Sequence, residues 1–169
     1  MKAVLMSIQP KWCELIASGK KTVEVRKTKP KIETPFKCYI YETQGRTETP
    51  FVDEEGHYIF KGRGKVIGEF MCDDITDIRY HEEADCYCVG KPQSTCLNYE
   101  ELHKYLQGKQ GYGWHISDLV IYDDPRELSE FHKIGYHDTK DNVYGWTTEE
   151  EMSWQIKRPP QSWMYVEEG

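Results

Sequence analysis

Within the run Gly19-Lys20-Lys21-Thr22-Val23-Glu24-Val25-Arg26, two kinds of cation and a carboxylate occur close enough to act together. Alternation along an extended chain puts Glu24 and Arg26 on one face, within pairing reach. Arg26 offers a planar fork for a phosphate or a base edge, Lys21 a point charge, and Glu24 an acceptor for an exocyclic amine. The plainer reading is a surface ion pair, which contributes only about 0–1 kcal/mol. Lys21 stands at a helix-to-strand turn, where parity leaves its direction open.

Hydrolysis needs more than these three residues. Lys21 is a candidate base for a hydroxyl or water, Glu24 an adjacent carboxylate, and Glu69 a carboxylate to carry protons. For the nucleophile, Thr22, Ser7, Ser117 and Ser162 are equally available, and nothing in the sequence ranks them. Cys72, His81, Cys86, Cys88, Cys96 and His103 are residue types that zinc binds. Structural zinc sites use Cys knuckles with two to four intervening residues, however, and Cys86-Tyr87-Cys88 has one. No metal is expected. No phosphate-binding loop occurs either: Gly62-Arg63-Gly64 is too short, and Gly111-Tyr112-Gly113 has no helix after it. Nothing in the chain calls for a cofactor.

Charge is distributed unevenly. The chain has 169 residues and a net charge of −7. Residues 1–50 hold 10 basic and 5 acidic side chains, and the remainder holds 12 and 24. The basic excess arises between Lys11 and Lys37, where eight Lys or Arg face three Glu. A basic patch on an acidic protein attracts phosphate to one place and repels nucleic acid elsewhere. The competing reading is a solvated lysine-rich face.

The elements that must position these residues follow from periodicity. Lys2 to Ile8 reads as a buried first strand, and Pro10 opens a short helix to Ser18 with Trp12, Leu15 and Ile16 on one stripe and Gly19 as its stop. Thr22 to Arg26 is the second strand, with Val23 and Val25 facing the core. Lys37 to Thr43 and Gly64 to Met71 are further strands. Between them, Phe51-Val52 and Tyr58-Ile59-Phe60 flank the turn signal Asp53-Glu54-Glu55-Gly56, which predicts a surface hairpin insertion at 44–65. Asn98 and Glu101 form a helix cap ahead of Leu102, Tyr105 and Leu106. Trp114 to Tyr122 predicts a strand ended by Pro125, residues 133–147 a loop, Glu149 to Glu151 a first helical turn, and Trp163 to Val166 a closing strand. Strands dominate and helices punctuate. The predicted class is α+β, a small pseudo-barrel with a short helix after its first strand and a second helix.

One domain accounts for this length. No apolar run reaches the roughly 18 residues of a membrane span, which predicts a cytoplasmic protein with no membrane partner, and its six Cys are expected to be reduced thiols. No internal repeat is present.

The opening Ser7-Ile8-Gln9-Pro10, followed by a helix and Gly-x-Lys-x-x-Glu-x-Arg, resembles the ASCH domain family of the PUA-like superfamily. Val66-Ile67-Gly68-Glu69-Phe70, Gly113-Trp114-His115-Ile116 and Pro160-Gln161-Ser162-Trp163 are similar to its later segments. The resemblance implies a β-barrel with a cleft beside the motif, and RNA, a nucleotide or a nucleoside as partner. It also implies an alternative: some branches are ribonucleases, and one is an amidohydrolase of acylated cytidine that carries Thr where this chain has Glu24. On this basis Ser7, Gln9, Lys21, Glu24, Arg26, Trp114, Ser162 and Trp163 are expected to line the cleft. The five tryptophans are Trp12, Trp114, Trp146, Trp154 and Trp163; for any one of them core packing competes with a stacking role worth about 1–3 kcal/mol per base.

Overall fold

Ala3, Val4, Leu5 and Met6 are consecutive apolar residues, a pattern that suits a strand covered on both faces. In the computed structural model, which describes residues 1–52, 56–89, 95–135 and 148–168, β1 (Lys2–Ile8) has that environment. Val4, Met6 and Ile8 point into the main core, and Ala3 and Leu5 into a second one on the reverse face. β1 lies between β3 (Phe36–Glu42), parallel to it, and the final strand β11 (Trp163–Glu167), antiparallel. β6 (Val66–Cys72) and β10 (Ser117–Arg126) complete a five-stranded sheet in the order β10-β6-β3-β1-β11.

A second sheet has the order β2-β9-β7-β8, built from β2 (Val23–Arg26), β7 (Ile75–His81), β8 (Cys86–Val89) and β9 (Gly111–His115). The main core lies between the sheets and joins Val4, Met6 and Ile8 to Phe36, Cys38, Ile40, Phe70 and Trp114. The architecture is mixed α+β with strands predominating, and the two sheets are not joined into one closed ring. β4 (Arg46–Val52) and β5 (Tyr58–Lys61) pair antiparallel as a separate two-stranded unit. The Asp53-Glu54-Glu55 turn, Trp146 and residues 136–147 lie outside the described residues.

The first helix puts Cys13 and Ile16 into the main core, and the second covers the outer face of the second sheet. α1 (Pro10–Ala17) starts with Pro10, whose fixed φ suits a first turn, and the chain reverses at Gly19, with φ +73°. The Lys21 N–H donates to the Leu15 carbonyl at 2.8 Å, turning the chain into β2. α2 (Tyr99–Leu106) is capped reciprocally: the Glu101 N–H donates to Asn98 Oδ1 at 2.8 Å and the Asn98 N–H to Glu101 Oε2 at 3.1 Å. Its Leu102 and Leu106 bury Val25 and Ile78 on the outer face of the second sheet. A Cβ on Gly111 would sit 2.7 Å from Leu106, so this glycine serves helix packing. α3 (Thr148–Trp154) carries the predicted acidic first turn.

Two expectations need correction. The stretch 114–122 is not one strand: the chain leaves β9 at His115, passes buried Ile116, and begins β10 in the other sheet, with Asp118 at φ +46°. Apolar periodicity is the same on both sides of such a corner and does not reveal it. Pro125 does not end β10, which continues to Arg126 because an edge strand tolerates a missing N–H. β7 and β8 are absent from the periodicity reading, since their polar and Cys-rich sequence hides a weak alternation.

Candidate functional site

Glu24 and Arg26 face inward. In the β2–β9 register Glu24 lies opposite Trp114, and α2 closes the other face over Val25, so both faces of β2 are buried. Lys21, Glu24 and Arg26 are 2%, 6% and 6% exposed, which removes the surface-pair reading.

The Glu24 carboxylate lies between two cations, with Arg26 Nη2 at 2.9 Å from Oε1 and Lys21 Nζ at 3.4 Å from Oε2. Lys21 Nζ also donates to the Thr95 carbonyl. Arg26 Nη2 donates to the Ser7 carbonyl at 2.8 Å, and Nη1 lies 3.5 Å from both the carbonyl and the hydroxyl of Ser162. The Ser7 hydroxyl donates to the Pro160 carbonyl at 2.7 Å. Arg26 therefore ties β1, β2 and the segment before β11 together. The two terminal nitrogens of its fork are thus engaged within the protein, while Nε has no hydrogen-bond partner among the described residues. Buried charges with this many partners fix geometry more surely than they add stability.

This cluster forms the floor of a cavity of about 680 Å³. Ser7, Gln9, Lys21, Glu24, Arg26 and Ser162, all expected at the site, line it. Trp12, Glu101, Lys104 and Tyr105 line it as well, although sequence reasoning does not assign them to it. Trp12 holds the ammoniums of Lys11 and Lys21 at 4.4 and 5.2 Å from its ring centroid, and Lys11 reaches Glu101 Oε1 at 2.9 Å. The Lys11 bond holds the Glu101 carboxyl below its usual range. Burial pushes the Tyr105 hydroxyl up, keeping it a neutral donor. A signal for Lys104 and Tyr105 exists in the sequence: they follow the Asn98–Glu101 cap on a helix with only two core-facing leucines.

Three expected site residues are elsewhere. Trp114 is fully buried, with Phe36 edge-on at 5.6 Å and Trp163 at 5.8 Å, and its indole N–H finds no acceptor among the described residues. Its place opposite Glu24 carries it under the cavity floor. Trp163 packs on the same core and donates its indole N–H to Thr28 Oγ1 at 3.0 Å. Glu69 pairs with Tyr39 in register on the outer face of the five-stranded sheet, where it accepts from the Tyr122 hydroxyl at 2.5 Å and meets Lys37 Nζ at 3.2 Å. None of the three lines the cavity.

None of the six cysteines forms a disulfide, and burial pushes the Cys13, Cys38 and Cys72 thiols up, the last to about 12. Among the described residues no three of His, Cys, Asp and Glu converge to hold a metal ion. No described helix is long and apolar enough to cross a membrane.

The fold and the cavity define a strand-rich α+β protein whose site is set between its first strands and a capped helix. A family model for the ASCH domain matches residues 6–110, from within β1 through the Lys21–Arg26 motif and α2, and the chain belongs to that family. Solved structures of ASCH from Zymomonas mobilis are similar to it: one is 18% identical, with a TM-score of 0.59, over 98% of this chain and 87% of that one. Two mutant proteins of the Zymomonas mobilis ASCH match at the same identity and TM-score, covering 99% and 98% of this chain and 91% and 88% of theirs. At this identity the likeness concerns fold. No curated protein matches the sequence significantly.

Proposed function

We propose that the cavity binds a single nucleotide unit, free or as part of an RNA strand. The observation that carries this reading is the Glu24 carboxylate, held by Lys21 and Arg26 at the base of a 680 Å³ cavity with Tyr105 in its wall. That volume is in the range of small-molecule sites, about 300–1,000 Å³. A carboxylate with free lone pairs accepts from the amine or N–H edge of a base, Tyr105 offers a ring and a hydroxyl, and exposed Lys104 at the wall meets phosphate. The family's general link to RNA supports the same reading.

The hydrolytic alternative draws less support. Glu69 is on another face, Lys21 is engaged with Glu24 and Thr95, and the Ser7 hydroxyl is donated to Pro160.

The test is a fluorescence-anisotropy titration in which nucleoside monophosphates compete for a labelled short single-stranded RNA, with wild type, Lys104→Ala and Tyr105→Ala. Binding should weaken as salt rises, with the log–log slope about 0.7 shallower in Lys104→Ala. Tyr105→Ala should cost about 1–3 kcal/mol of affinity at any salt. Absence of binding at low salt overturns the reading.

A further inference from the structure

β2 ends at Arg26, in the cavity lining, and the chain runs on from there. The next residues are Lys27-Thr28-Lys29-Pro30-Lys31, a stretch in which every second side chain is a lysine and no acid intervenes between Glu24 and Glu33. All three lysines are exposed, whereas Pro30 is buried. Aromatic groups hold the segment in place. The Lys27 ammonium lies 5.1 Å from the ring centroid of Tyr105, itself a cavity residue, and Lys29 lies 5.0 Å from that of Tyr112. Trp163 donates to the Thr28 hydroxyl, and the Lys31 N–H donates to the Tyr165 hydroxyl at 2.7 Å. Among the described residues, the carboxylate paired with these lysines is that of Asp77, at 3.9 Å from Lys29 Nζ.

An exposed lysine run usually serves only to keep a surface wet. Here the segment is held by the Thr28 hydroxyl, buried Pro30 and the Lys31 N–H, so little loop entropy is lost on binding. Two of its lysines also lie over tyrosine rings, and the first of those rings belongs to the cavity. The result is a line of positive charge that begins at the cavity wall and leads away from it.

We infer that the Lys27–Lys31 segment is a phosphate track continuous with the cavity, and that the ligand is a single-stranded oligonucleotide rather than a mononucleotide. The inference rests on the cavity holding a nucleotide. One unit enters the cavity beside Tyr105, and the phosphates that follow it meet Lys27, Lys29 and Lys31 in turn. Trp163, absent from the cavity lining, has its role here as an anchor of the segment.

The experiment compares a nucleoside monophosphate with single-stranded RNAs of two, four and six nucleotides on three proteins. These are wild type, Lys27→Ala/Lys29→Ala/Lys31→Ala, and the charge-matched control Lys61→Ala/Lys109→Ala/Lys157→Ala at exposed positions outside both regions. In wild type, affinity should climb with length. Three phosphate contacts predict that between 50 and 200 mM salt the hexamer loses about 20-fold more affinity on wild type than on the track variant. Monophosphate binding should fall far less in the track variant than hexamer binding does. A hexamer that binds wild type no tighter than the monophosphate overturns the track and leaves the cavity reading standing. An equal loss in the control variant also overturns it, since net charge would then be the cause. If neither monophosphate nor RNA binds wild type, the cavity reading fails and the track falls with it.

Discussion

Two clusters in this protein are built from the same ingredients. On the cavity floor Lys21 and Arg26 bracket Glu24, while on the outer face of the five-stranded sheet Lys37 and the Tyr122 hydroxyl bracket Glu69. Their distances are comparable, at 2.9 and 3.4 Å against 2.5 and 3.2 Å. What separates them is water. The cavity-floor side chains are 8% exposed or less, whereas Lys37 and Glu69 are 22% and 24% exposed. Solvent replaces a lost partner more readily in the second cluster than in the first. A Lys–Glu pair in a sequence therefore says little until its dielectric environment is known.

Replacing each glutamate in turn tests this difference most directly. Glu24→Ala leaves Lys21 and Arg26 buried without a counter-charge and should cost about 3–5 kcal/mol, measured as a fall in urea midpoint at constant m-value. Glu69→Ala should cost about 1 kcal/mol or less. Equal costs would mean that burial does not distinguish the clusters.

The tryptophans supply the next contrast. Trp114→Ala removes a fully buried ring from between the sheets and should destabilise by about 3–5 kcal/mol. Trp12 is partly exposed and carries two ammoniums against its ring, so Trp12→Ala should cost less stability and lower nucleotide affinity in the same titration. A larger stability loss at Trp12 than at Trp114 would reverse the assignment of wall and core.

The smallest effect is a titration. Burial alone would raise the Glu69 carboxyl, but the Tyr122 hydroxyl and the Lys37 ammonium hold it below the usual glutamate range. A carboxylate depressed in the folded state stabilises the fold above its unfolded value, and that contribution is lost as pH falls through the folded value. Tyr122→Phe should move the Glu69 midpoint upward toward the ordinary value, read by carboxyl NMR. An unmoved midpoint would assign the depression to the cations, Lys37 and Arg126.

Much of the site is legible in the sequence. Ser7, Gln9, Lys21, Glu24, Arg26 and Ser162 are expected at the cleft, and all six line it. Most of them lie close together in the strand–helix–strand opening, where local periodicity decides direction. Lys21 is ambiguous from spacing because it lies in the turn, and only the Leu15 carbonyl that holds its backbone shows which way it points. Trp114 and Glu69 are misplaced by sequence reasoning for a different reason. Each lies on a recognisable strand, but the stacking of the sheets places Trp114, on the same face as Glu24, beneath the cavity floor and turns Glu69 to the far face of its own sheet. Trp12 escapes because helical spacing gives the same stripe to a core face and a cavity wall.

Residue order alone is enough to establish a strand-rich α+β fold with a Lys–Glu–Arg motif at its first helix-to-strand turn. Those features follow from periodicity, caps and spacing, which act over a few residues. That α2 closes over β2 and buries the motif on both sides emerges only when the sheets and helices assemble. So does the commitment of the Arg26 fork to Glu24 and Ser7, and the link that Tyr105 makes between the cavity and Lys27. These outcomes depend on contacts between residues as far apart as Lys21 and Thr95 or Arg26 and Ser162, which no local spacing encodes.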